Sequence, residues 1–205
     1  MKLLLFSDIH NDLSAARALV KRAAEVDVVI GAGDIGNLRG SLEGVISVLQ
    51  KIARPTVLVA GNNESTGELA AACGGWRQAH VLHGNSAEID GVSFFGIGGG
   101  IPVTPFGSWS YDFTEAQATQ LLAKCPAECV LVSHSPPKGV VDRSSRGDSL
   151  GSTAVRETIL RCRPKLVVCG HIHGSGGDCE FLGTTPVVNA GPGGMIWDLE
   201  RAMPC

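Results

Sequence analysis

The sequence predicts a mixed α/β fold, a four-layer α-β-β-α sandwich in which two mixed β-sheets pack face to face beneath outer helices. Three observations predict it. The first part of the chain alternates short apolar runs with amphipathic stretches, the βαβαβα pattern of parallel strands joined by crossover helices. The middle loses its helices and becomes short strands joined by Gly and Asn turns. The remainder restores helices between strands, then ends in strands and turns. Parallel units followed by antiparallel pieces suit two stacked sheets with helices on the outside.

Element by element, Lys2–Phe6 reads as a buried strand, Asp12–Glu25 as a helix and Val26–Ile30 as the next strand. Ser41–Ile52 is helical, Pro55 ends that region, and Thr56–Ala60 is a third strand. Glu64–Cys73 is a helix closed by Gly74-Gly75, a favourable C-terminal stop. Val81-Leu82, Ala87–Ile89 and Val92–Ile97 are the short strands of the middle. Thr114–Lys124 is a helix with Thr114 as its N-cap, followed by strand Cys129–Ser133, helix Ser152–Cys162 and strand Lys165–Cys169. Gly177–Leu182, Thr185–Asn189 and Met195–Trp197 complete the pattern. The longest loop, Ser135–Gly151, is rich in Pro, Ser, Arg and Gly; loops of that length usually serve function or are disordered.

Composition narrows the function classes. A chain of 205 residues with 44% hydrophobic content has enough apolar material for one sizeable core, and a single domain over residues 1–205 is expected. A net charge of −3 supplies no nucleic-acid footprint. The apolar start turns polar at Ser7-Asp8, too early for a signal-peptide core, and no later run reaches the roughly 20 apolar residues of a membrane span. The expectation is a soluble, cytoplasmic protein without a membrane partner; the oligomeric state is open. The 7 cysteines form no CxxC pair and are expected to be inert thiols.

The chemistry lies in where Asp, His and Asn fall. Asp8 and His10 follow the first strand, Asp34 the second and Asn62 the third; His134 follows Cys129–Ser133, and His171 and His173 follow Lys165–Cys169. Five strands thus end in metal-binding residue types, at the carboxyl edge where α/β sheets place ligands. Each fragment alone has a plainer reading. Asp8 could cap the following helix, although Asn11 or Asp12 serves that purpose equally well. Gly33-Asp34 and Gly61-Asn62 are turn sequences, and a lone His134 would be a hydrogen-bonded loop histidine. His171-Ile172-His173 is the sharpest piece, two imidazoles on one face if the segment is extended.

Imidazole, carboxylate and amide ligands suit borderline-to-hard divalent ions. Seven candidates are too many for one tetrahedral ion, whereas two ions about 3.5–4 Å apart could share them, clamp a phosphoryl group and acidify a bound water.

The ordered motifs Asp8-x-His10, Gly33-Asp34, Gly61-Asn62-x-Glu64, His134 and Gly170-His171-x-His173 resemble the calcineurin-like metallophosphoesterase superfamily across residues 8 to 173. That resemblance implies the α-β-β-α fold and a small, phosphodiesterase-type member. It also implies one ion on Asp8, His10 and His173, a second on Asn62, His134 and His171, and Asp34 as the bridge. Mn²⁺ is the expected metal, with Fe, Zn²⁺, Ni²⁺ or Mg²⁺ as alternatives.

One position departs from the family pattern. Asn63 stands where many members carry a histidine that resembles a general acid or phosphate donor. An amide can hydrogen-bond a phosphate oxygen but cannot deliver a proton. The leaving group is then already activated, or another residue supplies the proton, or catalysis is degraded.

Around this set, His134, His171 and Asn63 are the candidate catalytic residues. Asn11, Asn63, Arg143 and Arg146 are the candidate substrate contacts, with solvated loop arginines and a helix cap at Asn11 as the plainer alternatives. Glu64 is expected to cap a helix or to orient a ligand. Gly151-Ser152-Thr153 opens a helix whose N–H groups could receive an anion. His80 and His83 read as structural. The expected activity is hydrolysis of a phosphodiester or other activated phosphate ester of small size by a two-metal-activated hydroxide. A metal-binding scaffold without activity is the rival, and a single-metal hydrolase of other esters or amides is disfavoured by the ligand count.

Overall fold

A computed structural model describes residues 1–201 and 205. Its elements, in chain order, are β1 (Lys2–Phe6), α1 (Leu13–Arg22), β2 (Val28–Ala32), α2 (Glu43–Leu49), β3 (Thr56–Val59), α3 (Thr66–Ala72), β4 (Ala79–Val81), β5 (Asn85–Ile89) and β6 (Val92–Ile97). There follow α4 (Glu115–Leu122), β7 (Val130–Ser133), α5 (Thr153–Cys162), β8 (Leu166–Cys169), β9 (Cys179–Leu182), β10 (Thr185–Asn189) and β11 (Met195–Asp198).

The strands form two mixed sheets. One runs β11-β1-β2-β3-β4, the other β5-β6-β7-β8-β10-β9. In the first, β1 to β4 are parallel and β11 closes the edge antiparallel to β1. In the second, β6, β7, β8 and β10 are parallel, with antiparallel β5 and β9 outside them.

Strand periodicity builds the layers. Successive side chains of a strand point to opposite faces, so β1 sends Leu4 and Phe6 to one side and Leu3 and Leu5 to the other. Leu4 and Phe6 pack with Leu19 of α1, Val45 and Leu49 of α2 and Leu69 of α3. Leu3 and Leu5 join Val28, Val57, Phe94, Val130 and Val168 in a core between the sheets. Phe95, Leu131 and Val167 face outward onto Leu122 of α4 and Val155 and Ile159 of α5. Three apolar interfaces between four layers are the sandwich that the sequence predicts.

Helix ends explain several boundaries. Asp12 caps α1, accepting the Ser14 and Ala15 N–H groups at 2.7 and 3.1 Å, which frees Asp8 and Asn11 from that duty. The third helix starts later than expected because Ser65 and Glu68 form a reciprocal capping box. Thr114 and Gln117 do the same for α4. At α5, the Glu115 carboxylate accepts the Thr153 and Ala154 N–H groups at 2.9 and 2.8 Å. The anion site expected at Gly151-Ser152-Thr153 is therefore filled by the protein's own Glu115.

The loop between β7 and α5 carries no helix or strand, yet it is anchored. The buried Asp142 carboxylate accepts the Gly139 and Gly151 N–H groups, each at 2.9 Å, and the Ser149 hydroxyl. The cysteines differ from expectation: Cys179 and Cys205 are joined in a disulfide, while Cys73, Cys125, Cys129, Cys162 and Cys169 are free and buried. Among the described residues, no helix is long and apolar enough to cross a membrane.

Candidate metal centre

Strand ends converge as the spacing predicts. The loops after β1, β2 and β3 of one sheet bring Asp8, His10, Asp34 and Asn62 to the seam, and those after β7 and β8 of the other bring His134, His171 and His173. Asp8, His10, Asp34 and His173 place one ligand atom each within 4.8 Å of one another, and so do Asp34, His134 and His171. Asp34 belongs to both groups. Its Oδ2 lies 3.7 Å from His10 Nε2 and its Oδ1 3.5 Å from His134 Nε2. The other pairs are as close: His10 Nε2 to His173 Nε2 3.1 Å, His173 Nε2 to Asp8 Oδ1 3.6 Å, and His134 Nε2 to Asn62 Oδ1 3.4 Å.

The histidines of Gly170-His171-Ile172-His173 do not share a face of an extended segment. His171 has φ 68° and His173 opens a short 3₁₀ turn, so the pair is divided between the two groups. Asp8, His10 and Asp34 are likewise left-handed, with φ of 56°, 42° and 53°. Non-glycine residues seldom adopt that region, and such strain concentrates at functional sites. The backbone also comes unusually close to the carboxylates. A Cβ on Gly61 would collide with Asp34, and one on Gly170 with Asp8.

A model of the calcineurin-like phosphoesterase superfamily domain matches residues 1–202. The chain belongs to the calcineurin-like phosphoesterase superfamily. It is 34% identical over 117 residues to UPF0046 protein T07D4.2 of Caenorhabditis elegans, a match covering 54% of this chain and 28% of that protein. Among solved structures it resembles TT1561 of Thermus thermophilus, with a TM-score of 0.75 at 20% identity, covering 97% of this chain and 94% of that one. It also shares its fold with a dimetal phosphatase from Danio rerio, at a TM-score of 0.57 and 13% identity over 92% and 86% of the two chains.

Members of this superfamily bind divalent metal ions, and the donors here fit such ions electrostatically. His134 is fully buried, and its Nδ1 lies 2.8 Å from the Ala32 carbonyl. A carbonyl only accepts, so Nδ1 carries a proton and Nε2 faces Asp34 and Asn62. Burial works against charge on His134, yet the negative charges of Asp34 and Asp8 carry its pKa upward. A field that favours a proton on Nε2 also favours a metal cation there. Burial, helped by His134, pushes His171 down to about 4, which leaves it a neutral imidazole. Burial opposes ionisation of Asp8, but the nearby His173 imidazole and the charge of His134 hold its pKa down to about 2.

The remaining candidate positions divide. Asn63 lines the cleft beside Asp34, but its backbone N–H donates to Asp34 Oδ1 at 2.9 Å and its side chain is turned to the same carboxylate. Arg146 lines the cleft; Arg143 instead donates to the Gly147 carbonyl of its own loop at 3.0 Å. Asn11 neither caps α1 nor lines the cleft, and its side-chain oxygen is buried without a partner among the described residues. Glu64 caps no helix. Buried at 1% exposure, it accepts the N–H groups of Ile35, Gly36 and Gly61 at 3.2, 2.9 and 2.8 Å, tying the loop after β2 to the loop after β3. Burial and the nearby Asp34 charge raise its pKa to about 7. His83 is structural, accepting from the Gly98 N–H at 3.2 Å and packing on Phe113.

Two contributors escape the sequence reading. Asn189 donates to the Gly170 and Ile172 carbonyls at 3.2 and 3.0 Å, fixing the loop that carries His171 and His173. It ends β10, so the strand-end rule that found the ligands would have found it too. Ser110 accepts from Asn62 Nδ2 at 3.1 Å and donates to Asp112 at 2.8 Å; no local pattern announces that contact.

Proposed function

We propose that this member of the superfamily is a dinuclear metal-dependent phosphoesterase that favours phosphodiesters or otherwise activated phosphate esters of small size. The observation that carries the reading is Asp34, whose two oxygens face different ligand groups. Asp8, His10 and His173 would hold one ion; Asn62, His134 and His171 would hold the other. Imidazole, carboxylate and amide donors together suit Mn²⁺, with Fe, Zn²⁺, Ni²⁺ and Mg²⁺ as alternatives. Two such ions would supply Lewis acidity on the phosphoryl oxygens and a water acidified toward neutral pH.

The chain's own groups do the rest. His134 and His171, both in reach of Asp34, would act by holding the ion whose charge offsets the negative charge that builds on the phosphoryl group. Glu64 and Asn189 hold the ligand loops in register. Asn63 has no proton to deliver and its amide is engaged with Asp34, so esters that leave without prior protonation are favoured. General acid catalysis is typically worth about 10²–10⁴-fold, and a poor alkoxide leaving group would forfeit it. A cytoplasmic setting is supported by the five free thiols; the Cys179–Cys205 disulfide argues the other way, and thiol titration of protein from intact cells decides between them.

The test is to strip the protein of metal, restore Mn²⁺, and assay bis-p-nitrophenyl phosphate beside p-nitrophenyl phosphate. Metal-dependent turnover with the diester ahead is expected. Absence of turnover with both substrates would leave a metal-binding scaffold of the same fold.

A further inference from the structure

The ligand groups open into a cleft of ≈ 590 Å³ that His10, Asp34, Asn62 and His171 share with an apolar wall. That volume far exceeds what a phosphate group and its waters need, since one water's share of the liquid is about 30 Å³. The wall comes from two segments without helix or strand. Val103, Phe106 and Trp109 lie between β6 and α4, and Leu150 lies before α5. Val103, Phe106 and Leu150 are 57%, 51% and 46% exposed. They are three of the seven exposed large apolar side chains among the described residues, gathered in one cleft. Scattered apolar residues need no explanation; a cluster beside a polar site marks a binding surface.

The wall is built rather than loose. The Phe106 and Trp109 rings stack with centroids 5.8 Å apart and planes 17° from parallel. The Trp109 carbonyl accepts from Arg39 Nη1 at 3.2 Å. Immediately after it, Ser110 accepts from Asn62 Nδ2, and the Tyr111 N–H donates to the Asn62 carbonyl at 3.0 Å. Thr104 donates to Asp112 through its hydroxyl at 2.6 Å and its N–H at 2.9 Å. The segment that displays the rings is therefore held to a candidate metal ligand, which fixes the distance between wall and ligand groups. Arg146, a planar cation able to stack on aromatic groups, lines the same cleft.

We propose that Phe106 and Trp109, flanked by Val103 and Leu150, form a subsite for a flat aromatic ester group of the phosphate substrate. The inference deepens the phosphoesterase reading and rests on it for the phosphate half of the ligand. Stacked flat rings select a flat partner over an aliphatic one of equal bulk, because every aromatic or heteroaromatic ring offers a π-face.

Binding separates this subsite from catalysis. Phenylphosphonate, cyclohexylphosphonate and methylphosphonate are titrated calorimetrically into the Mn²⁺-loaded protein. Phenylphosphonate is expected to bind at least about fivefold more tightly than the other two, the lower end of what one stacked ring contributes. Phe106→Ala and Phe106→Leu should abolish that preference, and Phe106→Tyr should keep it; at half exposure none of the three disturbs the core. Equal binding of the phenyl and cyclohexyl compounds, a preference that survives Phe106→Ala, or failure of all three compounds to bind would overturn the proposal. If the phenyl preference holds while bis-p-nitrophenyl phosphate is not turned over, the aromatic subsite stands and the enzymatic reading is what fails.

Discussion

The Asn63 side-chain amide donates to Asp34 Oδ2 at 2.7 Å, while its carbonyl oxygen accepts the Leu38 N–H at 2.8 Å. Both polar ends are thus engaged at 7% exposure, and the residue acts through the shared carboxylate. Asn63→Asp places a second negative charge against Asp34 and removes the donor. We expect it to lower the unfolding free energy of the metal-free protein by about 1–3 kcal/mol, the cost of a buried group left unpaired, as read by chemical denaturation. Unchanged stability would mean that the amide does not hold Asp34.

Asp34→Ala removes the carboxylate that both ligand groups share. Metal content, measured by elemental analysis after dialysis, should fall from about two ions per chain to one or none, whereas His173→Ala should weaken only the group formed with Asp8 and His10. Equal losses from the two variants would argue against two ligand groups joined through Asp34.

Asn189→Ala tests orientation without touching a ligand. Its amide holds the Gly170 and Ile172 carbonyls, and groups that orient metal ligands are typically worth about 10–100-fold in affinity or activity. The expected result is a loss of that size in Mn²⁺ affinity with a native circular dichroism spectrum. Full affinity would assign Asn189 to stability alone.

A pH effect follows from Glu68. Its hydrogen bond from Arg39, reinforced by Ser65, lowers the carboxyl pKa from 4.5 to about 2. A depressed folded-state value means that the stabilisation is present above pH 4.5 and is lost as the pH falls toward 2. Because the Glu68 side chain is 43% exposed, solvent screening keeps the effect below about 1 kcal/mol. Glu68→Gln preserves the capping-box geometry of α3 but removes the charge. The variant should melt slightly lower than the parent at pH 6, and the difference should vanish near pH 2; a gap that widens in acid would contradict the assignment.

The helix and strand pattern was legible because apolar periodicity is local. Asp12 as the α1 cap and Thr114 as the α4 cap follow from residues a few positions apart. Ser65-Thr66-Gly67-Glu68 carries an equally local capping-box signal, which places the start of α3 past Glu64. The candidate metal ligands were legible for a different reason: a repeated position at strand ends survives without knowledge of distance. What escaped was long-range pairing. Glu64 meets the loop after β2, Glu115 meets the start of α5, and Cys179 meets Cys205 across separations that no periodicity encodes. The aromatic wall escaped for the same reason, since Leu150 and Phe106 become neighbours of one cleft only after both sheets are assembled.

The division of the candidate ligands between the sheets would also set an order of events. One group needs His173 to join Asp8, His10 and Asp34; the other needs His134 and His171 to join Asp34. Neither half of the polypeptide owns a complete site. During synthesis, when amino-terminal segments emerge and fold first, the early strands present their carboxylates but lack the imidazoles of the later loops. With these ligands, full coordination would wait for His173, so captured metal would tie a later loop to the earlier strands and report that both have arrived.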